Sequence, residues 1–298
     1  MSKFFVDPSA VSGAHIYMEN KDDLHHLRKV LRARPGMELD ISDGDCWEYK
    51  TVLEELTEDC ATLKILDKQK FATEPSTRVT LYQGVPKASK METVIQKTVE
   101  MGVGTIVPVF MERTVVVEKG NFGKKLDRWN KIAAEAVKQC KRGIIPRVTE
   151  SYDFDRMLDE LPNYDLIICP YENEDGLTIK DFLREAPAPA PADAGSAGRA
   201  GEPGRPAAAS AHPEQKSAGP AEPGPQAHPE QKSAGPAEPG PQARRVALVI
   251  GPEGGFSDGE IARLKAAGAA TVTLGKTILR TETAGMAALA MIMYELEL

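Results

Sequence analysis

Val249-Ile250-Gly251-Pro252-Glu253-Gly254-Gly255-Phe256-Ser257 and Leu274-Gly275-Lys276-Thr277-Ile278-Leu279-Arg280-Thr281-Glu282-Thr283-Ala284 stand near the end of a 298-residue chain. Each follows a short apolar strand, and each opens a helix. Glycine lets backbone N–H and C=O groups approach a ligand without interference from a Cβ. Two such turns, close in sequence, can build one pocket from main chain alone. There is no GxxxxGK(S/T) loop and no GxGxxG after a strand. The pattern therefore suits a neutral or cationic adenosine cofactor better than a triphosphate.

The turns belong to a longer alternation that begins near Arg78. Strands are expected at residues 79–85, 105–110, 166–169, 246–250 and 271–274. Helices are expected at 88–101, 124–142, 154–161, 179–184, 258–267 and from the second turn to about Glu295. Ser257 and Glu260 form a capping box for the helix after the first turn, and Asp153 caps another. Alternating strands and helices predict a parallel sheet covered by helices. The last helix carries Ala284, Met286, Ala287, Ala288, Leu289, Ala290, Met291, Ile292 and Met293, so it is apolar nearly all round. It must be covered on most faces, by its own core or by a second subunit.

Residues before 70 have a different pattern. Segments 3–6, 14–18, 37–42, 47–56 and 61–68 are rich in β-formers and broken by Asp, Gly and Pro. One helix interrupts them, capped by Asn20, with Leu24, Leu27 and Leu31 as its apolar stripe and Pro35-Gly36 as its stop. A small β-barrel with one inserted helix is expected.

Residues 186–243 contain no Val, Ile, Leu, Met, Phe, Tyr or Trp, yet hold 13 of the 22 prolines. Nothing there can offset the ordering entropy, so the segment is expected to be a disordered tether. Residues 212–227 recur letter for letter as 228–243, which marks a duplication. Removing the tether leaves about 240 residues, enough for one large or two modest domains.

The net charge is −7, but residues 119–147 carry nine Lys or Arg against Asp127 and Glu135. A basic block in an acidic chain points to a phosphate-bearing partner. On the helix at 124–142, Lys124, Arg128, Lys131, Lys138 and Arg142 share one face, opposite Trp129, Ile132, Ala133, Ala136, Val137 and Cys140. His25, Arg28, Lys29, Arg32 and Arg34 repeat the theme beside the barrel. Both clusters are candidate contacts to a nucleic-acid backbone. Trp47 and Tyr49 could stack bases, but the barrel core is the first expectation for both. Cys46, Cys60, Cys140 and Cys169 form no CxxC pair, and the five histidines have no metal spacing. No segment has the length and apolarity of a membrane span or a signal peptide, so a reducing cytoplasm is expected.

Several blocks together carry a family resemblance. They are His26-Leu27-Arg28-Lys29-Val30-Leu31-Arg32, Gln96-Lys97 with Glu100-Met101-Gly102-Val103, and Gln139 with Arg142 and Pro146, followed by the two glycine turns. Over nearly everything except 186–243, the chain resembles the bacterial 16S rRNA uridine-N3 methyltransferases (RsmE type) of the SPOUT superfamily. The resemblance implies a PUA-like RNA-binding β-barrel domain over residues 1–72. It also implies an α/β SPOUT methyltransferase domain over 76–298, threaded as a trefoil knot and interrupted by the insert. It implies a cytoplasmic homodimer that uses S-adenosylmethionine and no metal. The implied reaction methylates N3 of one uridine of 16S rRNA in the small ribosomal subunit. The Leu279–Ala284 stretch lacks the serine-asparagine pair of the ribose 2′-O-methylating branch, which is the alternative within the superfamily. A non-catalytic RNA-binding or ribosome-assembly protein is the alternative outside it.

Taken with the spacing of the basic residues and the chemistry of the implied reaction, this suggests roles for individual residues. Ile250, Gly251, Glu253, Gly254, Gly255, Leu274, Gly275, Ile278, Leu279 and Thr283 are expected to hold the cofactor. His25, Arg28, Lys29, Arg32, Lys87, Arg128, Lys131, Lys138 and Arg142 are expected to meet RNA. Uridine N3 must lose a proton before it can accept a methyl group. Arg280 is expected to stabilise the resulting anion, and Glu253 or Glu282 to take the proton. The family commonly has arginine where Thr277 stands.

Overall fold

In a computed structural model of the chain, the structure describes residues 3–44, 47–70, 74–116, 122–186 and 244–298. All of these fall in one compact unit. The tether from 187 onward and Cys46 lie outside the described residues.

The first sheet is built from β1 (Lys3–Phe5), β2 (Val11–Ser12), β3 (His15–Met18), β4 (Glu38–Ser42), β5 (Trp47–Leu56) and β6 (Ala61–Lys70). Its order is β1-β4-β5-β6-β3-β2, antiparallel except where β1 meets β4. Alternating apolar residues give it one core, with Phe4, Ile16, Met18, Ile41, Leu53 and Leu63 inside. Tyr49 is buried in that core and donates its hydroxyl to Asp43 Oδ2 at 3.2 Å. Helix α1 (Lys21–His25) starts at the expected cap, where Asn20 Oδ1 accepts from the Asp22 amide at 2.9 Å and the Asp23 amide at 3.2 Å. It does not run to Pro35-Gly36. It continues as a π turn over His26–Val30 and ends before Arg32, whose φ of 50° breaks the helix. Leu24 and Leu27 are buried as the stripe requires.

The second sheet is wholly parallel. Its strands are β7 (Arg78–Gly84), β8 (Thr105–Phe110), β9 (Arg147–Val148), β10 (Tyr152–Asp153), β11 (Leu166–Pro170), β12 (Arg245–Ile250) and β13 (Ala270–Val272). The order is β10-β8-β7-β12-β11-β13, with β9 also paired to β8. Both faces are covered, which explains the nearly continuous apolar runs. Leu81, Leu248 and Ile168 face one core with α2 (Lys90–Glu100), α3 (Phe122–Cys140), α5 (Ile179–Glu185) and α7 (Thr281–Glu297). Tyr82, Val249 and Ile167 face the other, against α4 (Phe154–Glu160) and α6 (Asp258–Ala266). The expected capping box forms: Glu260 N–H donates to Ser257 Oγ at 3.2 Å and Ser257 N–H to Glu260 Oε2 at 2.9 Å. Helix α2 begins two residues later than expected because Ala88 takes a φ of 55°. Helix α7 buries Gly285, Ala288, Leu289 and Ile292 but leaves Met291 and Tyr294 exposed.

Short polar contacts tie the first sheet to the segment that follows α3. Lys3 Nζ donates to Glu48 Oε1 at 2.6 Å and to the Lys141 carbonyl at 2.9 Å. Ser42 Oγ donates to the Gly143 carbonyl at 2.6 Å. Here the sequence-based placement of Arg142 needs correction. Helix α3 stops at Cys140, and Lys141 turns the chain with a φ of 61°. Arg142 therefore leaves the basic face and is buried, pairing with Glu74 Oε2 at 2.8 Å. Its other nitrogen donates to the Val99 and Val103 carbonyls at 3.0 and 2.7 Å. Glu74 Oε1 also accepts from the Gly143 amide at 2.7 Å. This guanidinium is not available to an RNA phosphate.

At the other end, Glu297 closes α7 onto the start of β7. It accepts from the Thr77 amide at 2.6 Å and the Ser76 hydroxyl at 2.9 Å through Oε1, and from the Ser76 amide at 3.0 Å through Oε2. Burial alone pushes its carboxyl up, but these donors outweigh it and hold the carboxyl below its usual 4.5.

Two predictions follow from these contacts. Arg142→Met leaves Glu74 buried without its cation and lowers unfolding stability by about 3 kcal/mol, read from the urea midpoint; a loss below about 1 kcal/mol contradicts the buried pair. Glu297→Gln is less stable than the parent at neutral pH. The folded carboxyl lies below the unfolded one, so the difference is complete above pH 4.5 and fades as the pH falls through the folded value. A gap that instead widens in acid rules this contact out as its source.

Candidate active site

Parallel strands end at one edge, and in such sheets ligands bind beyond the carboxyl ends. β12, β11 and β13 are neighbours, so the segments that follow them share that edge. They enclose a cavity of about 490 Å³. The first turn contributes Gly251, Glu253, Gly254 and Gly255, and the second contributes Leu274, Gly275, Ile278 and Leu279. Ile250 and Arg280 also line it.

Backbone proximity depends on missing side chains. Gly84, at the end of β7, has no room for a Cβ, which would sit 2.4 Å from Pro252 N. Gly255 has a φ of +67°, and a Cβ there would meet Glu172 Oε1 at 2.8 Å. The two turns are then tied together from inside. Thr281 Oγ1, at the first residue of α7, donates to the Gly251 carbonyl at 2.6 Å. The same oxygen accepts from Gln83 Nε2 at 2.9 Å. Thr281 is thus a clamp between the turns rather than the cap of its helix; the cap position is Arg280, whose side chain makes no capping bond.

Charged groups are arranged unevenly around the cavity. Glu253 Oε1 accepts from the Lys87 amide at 2.9 Å and from Lys90 Nζ at 3.2 Å. Lys90 Nζ also lies 3.3 Å from Glu282 Oε2. Burial pushes the Glu253 carboxyl up, but the Lys87 amide, its own amide and the Lys90 ammonium outweigh it and hold it below its usual value. Arg280 is exposed, and its guanidinium forms no ion pair among the described residues. It does not pair with Glu253 or Glu282.

Two of the expected site residues lie elsewhere. Thr283 is exposed and does not line the cavity. Glu282 does not line it either, and meets it only through Lys90. The sequence reading also missed a third wall. Tyr171, Glu172 and Asp175, after β11, line the cavity together with Lys90. The signal was available: β7 and β11 are apolar runs in a parallel sheet, so the residues after them had to reach the same edge as the glycine turns.

The basic residues form a separate surface. Lys138 Nζ lies 3.9 Å from Asp23 Oδ1, so the α3 stripe adjoins α1 and its cluster. Arg128 pairs with Glu92 at 2.9 Å. Lys131 lies in a groove between α2 and α3 beside Gln96, Glu100 and Glu135. His25, Arg28 and Lys29 line a shallow depression with Glu58 and Asp59, and Arg28 Nη2 donates to the Thr57 and Glu58 carbonyls. Lys87 does not line the cavity, and meets it only through the bond from its amide to Glu253. Among the described residues no cluster of three His, Cys, Asp or Glu side chains could hold a metal ion, and no helix is long and apolar enough to cross a membrane.

Known proteins resemble this arrangement along nearly all of its length. The solved structure of a ribosomal RNA small subunit methyltransferase E from Neisseria gonorrhoeae, bound to S-adenosyl methionine, superposes with a TM-score of 0.70 at 24% identity, covering 99% of this chain and 97% of that one. A putative methyltransferase from Legionella pneumophila, in complex with the same cofactor, gives 0.65 at 24% identity over 98% and 96%. At that identity these two support the fold. The ribosomal RNA small subunit methyltransferase E of Bacillus subtilis is 26% identical over 100% of this chain and 98% of its own length. An RNA methyltransferase PUA domain profile matches residues 20–66, within the first sheet and its helix. The profile of the RNA methyltransferase domain matches residues 73–190 and 221–293, which include every strand of the parallel sheet and all of the cavity wall. With well over half of its residues inside that profile, and the PUA profile ahead of it, the chain belongs to the RNA methyltransferase family.

Proposed function

We propose that this protein transfers a methyl group from S-adenosylmethionine to N3 of a uridine in 16S rRNA, acting on the small ribosomal subunit as a cytoplasmic homodimer. The observation that carries the proposal is the cavity itself. Two glycine turns are clamped together by Thr281, with a paired carboxylate (Glu253) and an unpaired guanidinium (Arg280) on its wall. The relatives' names supply the RNA and the subunit, and the gonococcal structure supplies the cofactor. The sequence supplies the base-methylating branch, through Leu279-Arg280-Thr281-Glu282-Thr283-Ala284. Exposed Met291 and Tyr294 on α7 offer an apolar surface for a second subunit. The reading keeps residues 1–72 as the RNA-binding domain and 76–298 as the methyltransferase domain.

The cavity fits such a cofactor in size and chemistry. Its volume falls within the usual range for ligand sites. Main-chain groups of Gly251, Gly254, Gly255, Leu274, Gly275 and Leu279 would hold the adenosine, and Glu172 and Asp175 make the wall favourable to a cation. When bound, the cofactor supplies an electrophilic methyl group on a sulfonium.

The chain's own residues handle the acceptor. A uridine entering the cavity gives up its N3 proton to Glu253, which lines the wall and is held ionised; Glu282 lies outside the wall. The negative charge then spreads over O2 and O4 of the base, and Arg280, free of other partners, stabilises it. The new bond joins the methyl carbon to N3 as the carbon–sulfur bond breaks, and the proton leaves Glu253 for water.

The direct test uses small subunits from a strain lacking this gene. Added protein and methyl-labelled cofactor should place label on a single uridine, at N3. Label at a ribose 2′-oxygen, or none, rejects the reading. Arg280→Ala should bind cofactor within a few-fold of the parent by calorimetry but lose about 10²-fold in single-turnover rate. Parallel loss of both would assign Arg280 a structural role. For the basic surface, Lys131→Gln with Lys138→Gln avoids setting new acids beside Glu135 and Asp23. The pair should weaken RNA binding and lower the salt slope by about two. An unchanged slope removes this face from the RNA path.

A further inference from the structure

Lys90 opens α2, far in sequence from both glycine turns, yet it touches the polar end of each. Its ammonium lies 3.2 Å from Glu253 Oε1 in the first turn and 3.3 Å from Glu282 Oε2 at the start of α7. Side-chain exposure is 33% for Lys90, 22% for Glu253 and 16% for Glu282, so water screens these charges only in part. Glu282 Oε2 is fully buried and has no well-directed hydrogen bond, which leaves the Lys90 charge as its compensation. Other charged groups face the same region without taking that place. Arg280 and Lys276 line the cavity with no ion pair among the described residues, and Arg113 reaches past to the Gly254 carbonyl at 3.2 Å. Glu172 and Asp175 face it from the segment after β11 and add negative charge.

We propose that Lys90 is the positioning residue of the site: by lying between Glu253 and Glu282, it holds the Glu253 carboxylate at the cavity wall against the like charge of Glu282, placed to take the proton from the base. The proposal rests on the reading of Glu253 as proton acceptor. It adds a residue of the cavity wall whose part in the reaction is played through another side chain. The physics is a balance of like and unlike charges. With Lys90 present, two carboxylates share one cation. Without it, they face each other with no cation between them, and the ionised form of one becomes unfavourable. Glu253 would then keep its own proton to a higher pH than in the parent, and the acid limit of the reaction would rise with it.

The experiment has one arm that needs neither RNA nor cofactor. The carboxyl of Glu253 is titrated by ¹³C NMR in the free protein, its resonance assigned by its absence in Glu253→Gln. In Lys90→Met the midpoint should move up by about one pH unit, and in Lys90→Arg it should stay near the parent. Glu282→Gln, which removes the competing carboxylate and keeps Lys90, should leave the midpoint in place or lower it. This variant also serves if Lys90→Met does not fold. An unmoved midpoint in folded Lys90→Met, or a rise in Glu282→Gln, overturns the proposal.

The second arm is the pH dependence of single-turnover methylation at saturating cofactor. Its acid limb should move up with the carboxyl in Lys90→Met and return in Lys90→Arg, while the cofactor dissociation constant stays within a few-fold. Loss of cofactor binding along with turnover would show a structural role and overturn the proposal. A carboxyl that moves beside a rate limb that does not would separate the two ideas: Lys90 holds Glu253, but Glu253 is not the proton acceptor.

Discussion

The hydroxyl of Thr281 holds the site together. It donates to the Gly251 carbonyl at 2.6 Å and accepts from the Gln83 amide at 2.9 Å. Gln83 is fully buried at the end of β7, and Thr281 is nearly so. A carbonyl left without a donor at such a place would be costly to bury. The bond therefore fixes where α7 begins relative to the end of β12. Gly84 and Gly285 make it possible, because a Cβ on either would press against Pro252 or Gln83. Once these ends are joined, the positions of Glu253, Arg280 and Glu282 are no longer independent. A valine at 281 would keep the shape of threonine but take the donor from the Gly251 carbonyl and leave Gln83 Nε2 with the Gly84 carbonyl at 3.1 Å alone.

The buried contacts around Arg142 act on a larger scale. Helix α3 carries the basic face, and the chain at its end is anchored to Glu74, to carbonyls in and just after the last turn of α2 and, through Lys141 and Gly143, to the first sheet. The surface proposed to meet RNA thus spans both sheets, with the Lys138–Asp23 contact at the join. An RNA held along it stands at a fixed distance from the cavity. Rigid docking of this kind supports catalysis through placement: a base presented at the wrong depth would gain nothing from a well-formed pocket.

Local features were the most legible in the sequence. Apolar runs flanked by turns located every strand of the parallel sheet except the two-residue β9 and β10, which carry too few residues to show a pattern. The Ser257–Glu260 capping box and the Asn20 and Asp153 caps depend on neighbours three residues away, and all three form. Ends set by tertiary contact were misplaced. The stop of α1 is imposed by a π turn and the left-handed Arg32 rather than by Pro35-Gly36. Arg142 had the right spacing for the basic face, but a single left-handed residue, Lys141, turned it inward. Within the site, the glycine turns were visible because glycine marks close backbone approach. Lys90 and Glu172 were missed although both follow apolar strands of the parallel sheet, because their partners become apparent only when strands distant in sequence end side by side. Of the expected cofactor contacts, Thr283 alone has no place in the cavity wall, because the first turn of α7 directs Thr281 and Ala284 toward it instead.

The charges of the cavity show why pairing is selective. Glu253 and Glu282 bring two negative charges close together, and Lys90 and Arg280 are both near enough in sequence or space to answer them. Only Lys90 does. Had Arg280 joined the pair, its guanidinium would face two strong acceptors and have little left to offer a weaker one, such as the delocalised anion of a pyrimidine. The site instead keeps its compact, lysine-borne cation against the carboxylates and leaves the forked donor exposed. That division has a structural cause: Arg280 precedes the first helical residue of α7 with φ −68° and ψ 152°, an extended conformation, while Glu282 follows inside the helix. The two side chains leave the backbone in different directions, so the helix start itself separates the group proposed to stabilise charge from the group that anchors Lys90.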